Sequence, residues 1–159
     1  MMKRLSILRP VHKKEYAEHE LRQKSIVKGD GFSIKFPEQP QSIDTGDHSR
    51  QYITKGKVAI YSVTVYDLAT PRVTESEMRG ELLNAVTRIS NLLGWEHSNE
   101  ITIICDLPAI QLTFELDKSN THYYAVVVKN DKLYEIALNT KGNSEDLFTK
   151  FVNNFEFTD

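Results

Sequence analysis

The sequence predicts an α+β fold in which an antiparallel β-sheet is flanked by helices. Several short segments alternate apolar and polar residues, turn residues separate these segments, and two longer segments carry a helical apolar stripe. The resulting order is three strands, a helix, four strands and a helix. Strands joined by short turns pair antiparallel, whereas a parallel sheet needs a crossover between successive strands. The order therefore favours the antiparallel arrangement.

The charge is distributed unevenly along the chain of 159 residues, which carries a net charge of −2. Residues 1–28 contain eight Lys or Arg and three Glu, so this segment carries +5 and the remainder −7. An acidic folded part repels phosphate, so nucleic acid is not an expected partner. We predict a basic N-terminal arm at 1–28, partly helical over Lys13–Lys24 or disordered, and a folded domain at 29–159. Gly29-Asp30-Gly31 is interpreted as a flexible joint between them.

The sequence as written predicts a cytoplasmic protein. No apolar run approaches the ~18–20 residues that span a bilayer, so no integral membrane segment is expected. The apolar stretch near the start ends at Arg9-Pro10, before a signal peptide is complete. The single cysteine, Cys105, lies in mid-chain, where it serves neither as a lipidation site nor in an intrachain disulfide. An exported or envelope location is expected only if a longer precursor exists.

The first predicted strand is Phe32–Phe36, whose three apolar side chains share one face. It is followed by Pro-Glu-Gln-Pro at 37–40, which has the PxxP spacing of polyproline II ligands. The acidic Glu38 disfavours that interpretation. Pro37 is better explained as the end of the strand, because proline cannot donate to a sheet ladder.

A predicted loop at 37–50 is followed by two strands, Gln51–Ile53 and Lys57–Asp67, joined by a tight turn. The second strand is apolar on both faces, which is typical of a central strand covered on two sides. The connection Asp67–Val73 then leads to the first helix.

The first helix is predicted at Glu75–Leu93. Thr74 and Glu77 form a T-x-x-E capping box at its start, and Gly94 is suited to end it. Trp95 is expected to pack back on the last turn. The apolar face consists of Met78, Leu82, Val86, Ile89 and Leu93.

The second half predicts four strands and a closing helix. The strands are Glu100–Cys105, Ile110–Leu116, His122–Lys129 and Leu133–Leu138. The first of them is expected to break at Asp106-Leu107-Pro108, and Asn130-Asp131 forms a two-residue turn between the last two. Asn143 or Ser144 caps the final helix. Its core face consists of Leu147, Phe148, Phe151, Val152 and Phe155.

Four stretches resemble the PsbP/Mog1-like domain family, including small bacterial PsbP-like and DcrB-like proteins. They are GFSIKFP at 31–37, YSVTVYDL at 61–68, KLYEI at 132–136 and the phenylalanine-rich closing segment 148–157. The resemblance extends over about residues 30–157 in the same order, and each matched element is structural. It implies an α/β/α sandwich around an antiparallel sheet, a non-enzymatic role and a protein partner that differs between members.

Two residue sets suggest an alternative function, as a metal-binding protein or an enzyme. His12, Glu15 and His19 would share one face of a helix and could hold zinc or iron, although a fourth ligand is missing. Cys105, with Asp106 and His122, has the residue types of a cysteine nucleophile and its base. A solvated polar face explains the first set, and a buried inert thiol at a strand end explains the second. We therefore assign no catalytic, cofactor-binding or metal-binding residue.

The expected function is that of a non-catalytic protein-binding or accessory module. Isolated glycines provide no phosphate-binding cluster, so no cofactor is predicted, and His48 and His97 are expected at the surface. Loops on a rigid scaffold usually carry recognition. The expected contact surfaces are thus the 37–50 loop, the 117–121 turn and the Asp67–Val73 connection.

Overall fold

The described residues of a computed structural model, 26–46, 48–117 and 119–158, form nine strands and two helices. The strands are β1 (Ile26–Lys28), β2 (Phe32–Lys35), β3 (Gln41–Asp44), β4 (Ser49–Lys55), β5 (Ala59–Arg72), β6 (Ser98–Ile104), β7 (Leu107–Glu115), β8 (Asn120–Lys141) and β9 (Glu156–Phe157). The helices are α1 (Glu75–Leu93) and α2 (Glu145–Asn153). The predicted helix at 13–24 lies outside the described residues.

The larger sheet has the order β3-β4-β5-β8-β7-β6, and each neighbouring pair is antiparallel. β8 folds back on itself at Asn130, whose φ is 56°, so that the Gly142 N–H donates to the Ser119 carbonyl at 2.7 Å. The first half of β8 pairs with β7 and the second half with β5. The predicted turn at Asn130-Asp131 and the predicted antiparallel fold class are confirmed.

A smaller sheet with the order β1-β2-β9 covers part of one face of the larger sheet. Its presence corrects the predicted boundary between arm and domain, because Ile26–Lys28 pairs with β2 and belongs to the folded part. Gly29-Asp30-Gly31 is the turn of this β1–β2 hairpin and not a flexible joint. The short lengths of β1 and β9 explain why the sequence pattern does not predict this sheet.

The first core lies between the two sheets and α2. The Phe151 ring of α2 meets the rings of Phe36 and Tyr61 edge-on, with centroid distances of 5.7 and 5.1 Å. Aromatic side chains of this size supply most of the buried apolar area in such a core. The predicted core face of the closing helix is confirmed, because its five apolar residues are buried here.

The second core lies on the opposite face of the larger sheet, under α1. Leu82 and Ile89 are buried there against Leu112 and Phe114 of β7. The predicted capping box is present, since the Thr74 side chain accepts from the Glu77 N–H and the Glu77 carboxylate accepts from the Thr74 N–H. α1 covers one face, and α2 with the smaller sheet covers the other, which is the predicted α/β/α sandwich.

The predicted loop at 37–50 is only partly a loop. It contains β3 and the beginning of β4, which pair with Asp44 opposite Arg50. All four β3 residues are exposed, so they lack the apolar alternation that marks a strand in the sequence. Phe36 and Pro37 are buried, which rules out the 37–40 segment as a free polyproline II ligand.

Two connections also differ from the predictions. β5 continues to Arg72, with an irregularity after Asp67, so most of the predicted connection Asp67–Val73 is extended strand. The β6–β7 turn consists of Cys105 and Asp106, with φ of 50° and 67°, and Pro108 belongs to β7. Positive φ at two successive turn residues is the geometry of a type I′ hairpin turn. The sequence does not predict this turn, because it has no glycine at either position.

The predicted packing of Trp95 on α1 is wrong. Its side chain is 62% exposed, because Gly94 has φ and ψ of 114° and 164° and directs the chain away from the helix. His97, expected at the surface, is instead partly buried beside Phe114, with ring centroids 4.8 Å apart. Neither helix in the described part of the chain has the length and apolarity that a membrane crossing requires.

Candidate functional site

A cleft of about 500 Å³ lies at one end of the larger sheet, next to the β1–β2 turn. The residues that line it come from the β1–β2 turn, from β3, from the β3–β4 turn and from β4 and β5. They are Asp30, Asp44, Gly46, His48, Ser49, Arg50, Val65 and Asp67. Three carboxylates thus converge from segments that are distant in sequence.

The β3–β4 turn lines part of the cleft and is held by hydrogen bonds within the turn. The Asp44 carboxylate accepts from the Gly46 N–H at 3.0 Å, and the Ser49 N–H donates to the Gly46 carbonyl at 2.8 Å. Gly46 and His48 both have positive φ, 87° and 63°. The His48 carbonyl accepts from the Asp67 N–H at 2.7 Å and so attaches the turn to β5.

The β1–β2 turn contributes Asp30 to the cleft and lies against two tyrosines. The Asp30 N–H donates to the Tyr52 hydroxyl at 3.1 Å. Gly31 has φ of 81°, and a Cβ there would overlap the Tyr134 hydroxyl. Glycine is therefore required at position 31 both for the backbone conformation and for the close approach.

Lys132 connects the β1–β2 turn and β5 by ion pairs. Its ammonium lies 2.6 Å from an Asp67 carboxylate oxygen and 3.4 Å from one of Asp30. The hydrogen bond to Asp67 raises the pKa of Lys132, so the ammonium remains charged. Asp67 and Lys132 also lie opposite each other on the neighbouring strands β5 and β8, which fixes the position of the Asp67 carboxylate.

An aromatic cluster lies beneath this end of the cleft. The Phe32 ring is 5.1 Å from Tyr52, 6.1 Å from Tyr134 and 5.7 Å from Phe155. Burial, with the nearby Asp30 charge adding to it, raises the pKa of Tyr134 to about 12, so its phenol stays neutral. The polar rim therefore rests on a packed support, which favours a preformed binding surface.

The charged side chains around the cleft are of both signs. Three carboxylates and Arg50 line the cleft, and Lys132 pairs with two of the carboxylates. Carboxylates bind lysine and arginine side chains by charge-assisted hydrogen bonds. Within residues 26–46, 48–117 and 119–158, no group of three or more His, Cys, Asp or Glu side chains has the geometry of a metal site.

Two of the three predicted contact surfaces meet at this cleft. The 37–50 segment supplies Asp44, Gly46, His48, Ser49 and Arg50, and the Asp67–Val73 connection supplies Asp67. The 117–121 turn lies at the other end of the sheet, where Asp117 accepts from the Ser119 N–H at 2.7 Å. Hydrogen bonds from Ser119 and Asn120 lower the pKa of Asp117 to about 2.

The structure does not bring the proposed nucleophile and base together. Cys105 lies in the β6–β7 turn, whereas His122 pairs with Phe114 near the other end of β7. At ~3.3 Å per residue this separates them by roughly 20 Å. The Cys105 thiol is exposed and not buried as expected, and it donates to the Phe155 carbonyl at 3.4 Å. Partial desolvation raises its pKa, the opposite of what a nucleophile needs.

The remaining histidines divide between surface and core. His48 is exposed in the cleft, as predicted for a surface residue. His122 is partly buried, its Nδ1 has no hydrogen-bond partner among the described residues, and burial lowers its pKa. His12, Glu15 and His19 lie outside the described residues, so the metal-binding alternative stays a prediction.

Comparison with solved structures supports the fold. The chain is similar to cyanobacterial PsbP (CyanoP) from Synechocystis sp. PCC 6803, with a TM-score of 0.54, 11% identity, and coverage of 85% of this chain and 91% of that one. It is also similar to a protein from Bacteroides thetaiotaomicron VPI-5482, with a TM-score of 0.53, 12% identity, and coverage of 86% of this chain. The chain spans about half (48%) of the length of that protein.

The Ran-binding protein Mog1p from Saccharomyces cerevisiae is a more distant neighbour, with a TM-score of 0.49, 14% identity, and coverage of 86% of this chain and 95% of that one. No protein-family model and no curated protein sequence matches the chain. The chain has a PsbP/Mog1-like fold, as its four matching stretches predict. Identities this low speak to the fold alone.

Proposed function

We propose that the chain is a non-catalytic binding module whose cleft receives a positively charged segment of a partner protein. The observation that carries the proposal is the convergence of Asp30, Asp44 and Asp67 on one rim. Lys132 pairs with the carboxylates of Asp30 and Asp67. The Asp44 carboxylate accepts a hydrogen bond from the Gly46 N–H within the β3–β4 turn. A lysine or arginine side chain that enters the cleft would add charge-assisted hydrogen bonds to this set.

The size and position of the cleft fit a peptide segment. A volume of about 500 Å³ is enough for several side chains, and the rim is built from hairpin turns on a rigid sheet. Preorganised acceptors lower the entropic cost of binding, because they need no rearrangement when the partner arrives. The acidic balance of the folded part would also attract a basic partner over a longer range. A cytoplasmic location stays a prediction from the sequence.

The proposal is tested by neutralising the cleft without disturbing its turns. In Asp44→Asn the amide oxygen can still accept from the Gly46 N–H, so the turn is kept and only the charge is removed. Asp67→Asn removes the second charge. We expect the double variant, used as bait in cells of the source organism, to capture the partner about tenfold less well than the unmodified chain, which corresponds to roughly 1.4 kcal/mol.

Asp117→Asn is the matched control, because Asp117 has the same turn-capping role at the opposite end of the sheet. It should retain full capture. Equal capture by all baits would contradict the cleft as the binding site, and loss with Asp117→Asn alone would move the site to the 117–121 turn.

A further inference from the structure

β6 is an unprotected edge of the larger sheet, and within the described residues no strand pairs with its outer side. Edge strands are usually blunted by short length, proline or charge, because their unpaired backbone groups invite association. The opposite edge, β3, follows this rule, since it is four residues long and directly preceded by Pro40. β6 has seven residues, no proline and a single charged residue, Glu100.

The β6–β7 turn determines which backbone groups of β6 point outward. Ile104 and Leu107 flank the two-residue turn, and residues in that position exchange hydrogen bonds with each other. In an antiparallel pair, hydrogen bonding to the partner strand recurs at every second residue. The N–H and C=O groups of Ile101 and Ile103 therefore point away from β7, toward the open edge.

The same two residues expose large apolar side chains. Ile101 and Ile103 are 80% and 71% exposed. They lie on the face of the sheet that α1 covers, because the side chain of the adjacent Ile104 is buried in the core on the other face.

We propose that two copies of the chain associate by antiparallel pairing of β6 with β6, about a two-fold axis at Thr102. In this register Ile101 faces the partner's Ile103, and both exchange backbone hydrogen bonds across the axis. Glu100 faces the partner's Ile104, so no like charges lie opposite each other. The pairing is self-complementary in backbone, apolar surface and charge, which is why a second copy fits this edge without a specialised partner.

The register is tested by site-specific cross-linking. Thr102→Cys in a Cys105→Asn background places the two introduced thiols opposite each other at a non-hydrogen-bonded pair, where Cβ atoms lie ~4.5–5.5 Å apart and a disulfide can form. Asparagine tolerates the positive φ of position 105. We expect mild oxidation to give a covalent dimer. Glu100→Cys in the same background should stay uncoupled, because its two thiols would not be paired, and the reverse result would overturn the register.

The association itself is tested by sedimentation of the unmodified chain over a range of micromolar concentrations. We expect a reversible monomer–dimer equilibrium. Ile101→Lys with Ile103→Lys should weaken it about tenfold or more, because like charges then face each other across the axis. Ile43→Lys, on the opposite edge strand β3, is the matched control and should leave it unchanged.

Two outcomes would overturn the proposal. One is an unmodified chain that is monomeric throughout, which is the result expected if the β6 edge receives a strand from another protein. The other is a dimer that survives both lysines with unchanged affinity. Circular dichroism of each variant separates loss of pairing from loss of folding.

Discussion

Arg88 of α1 and Glu135 of β8 form a salt bridge of 2.9 Å between the helix and the sheet. Glu135 is buried, and the Arg88 guanidinium also lies 4.4 Å from the centre of the Tyr66 ring and donates to its hydroxyl at 3.1 Å. Burial raises the pKa of Glu135, and Arg88 opposes that shift. The pair therefore links α1 to β8 of the larger sheet. The buried Glu135 carboxylate is stabilised in its charged form by Arg88.

Removing Arg88 should destabilise the fold by about 2–3 kcal/mol at pH 7, because it leaves a buried carboxylate unpaired. We expect Arg88→Met to show this loss in guanidinium unfolding and to raise the pKa of Glu135 further. Arg79→Met is the control, since the pair of Arg79 with Glu75 is exposed and should contribute less than about 0.5 kcal/mol. Equal losses in the two variants would contradict the role given to Arg88.

Gly31→Ala should be costly for two separable reasons. The positive φ costs an L-residue about 1–2 kcal/mol, and the added Cβ would overlap the Tyr134 hydroxyl, so we expect a loss of about 2 kcal/mol or more. Gly46→Ala is the control, because Gly46 also has positive φ but no atom within 4 Å of its Cβ position. Its loss should be limited to the backbone cost of about 1–2 kcal/mol and should be smaller than that of Gly31→Ala.

The overlap has its own test. Tyr134→Phe removes the hydroxyl, so the double variant Gly31→Ala/Tyr134→Phe should recover part of the loss in a double-mutant cycle. Strict additivity of the two changes would show that only the backbone conformation matters at position 31.

His122 should make the fold less stable in mild acid. Burial lowers its folded pKa below the unfolded value of 6.5, so the unfolded chain binds more protons between those two values. Stability therefore falls as the pH drops through 6.5 toward the folded pKa, and it is unaffected by this group above about pH 7. We expect the ring protons of His122 to titrate below 6.5 by NMR, and His122→Gln to flatten the pH dependence of unfolding in that window. An NMR titration midpoint of His122 at or above pH 6.5 would refute the lowered pKa.

Local signals in the sequence were sufficient for α1 and for the core strands. Thr74 and Glu77 satisfy each other's backbone donors wherever the helix packs, so the helix start can be predicted without tertiary information. The alternation in Phe32–Phe36 likewise reports a buried face, and all three apolar residues are buried. β3 could not be predicted this way, because an exposed edge strand needs no apolar face. Trp95 was mispredicted because the ψ of Gly94 sets the direction of the chain.

The sequence predicts some of the segments that form the cleft but not the cleft itself. Two of its contributing segments were predicted as contact surfaces, but nothing in the sequence indicates that Asp30, Asp44, Asp67 and Lys132 meet. Strand register places Asp67 opposite Lys132 and Asp44 opposite Arg50, and Asp30 reaches Lys132 from the β1–β2 turn. The separation of Cys105 from His122 also follows from register, because residue types alone do not say which end of a hairpin each occupies.

The most direct test of the binding cleft is photo-cross-linking in cells of the source organism. A photoreactive p-benzoylphenylalanine replaces Arg50, which is exposed in the cleft, or Glu145, which is exposed at the first turn of α2. We expect a specific protein adduct from position 50 that disappears in the Asp44→Asn/Asp67→Asn variant and persists in Asp117→Asn. Two results would contradict the account. One is an adduct from position 145 with none from position 50, and the other is an adduct from position 50 that persists in the Asp44→Asn/Asp67→Asn variant.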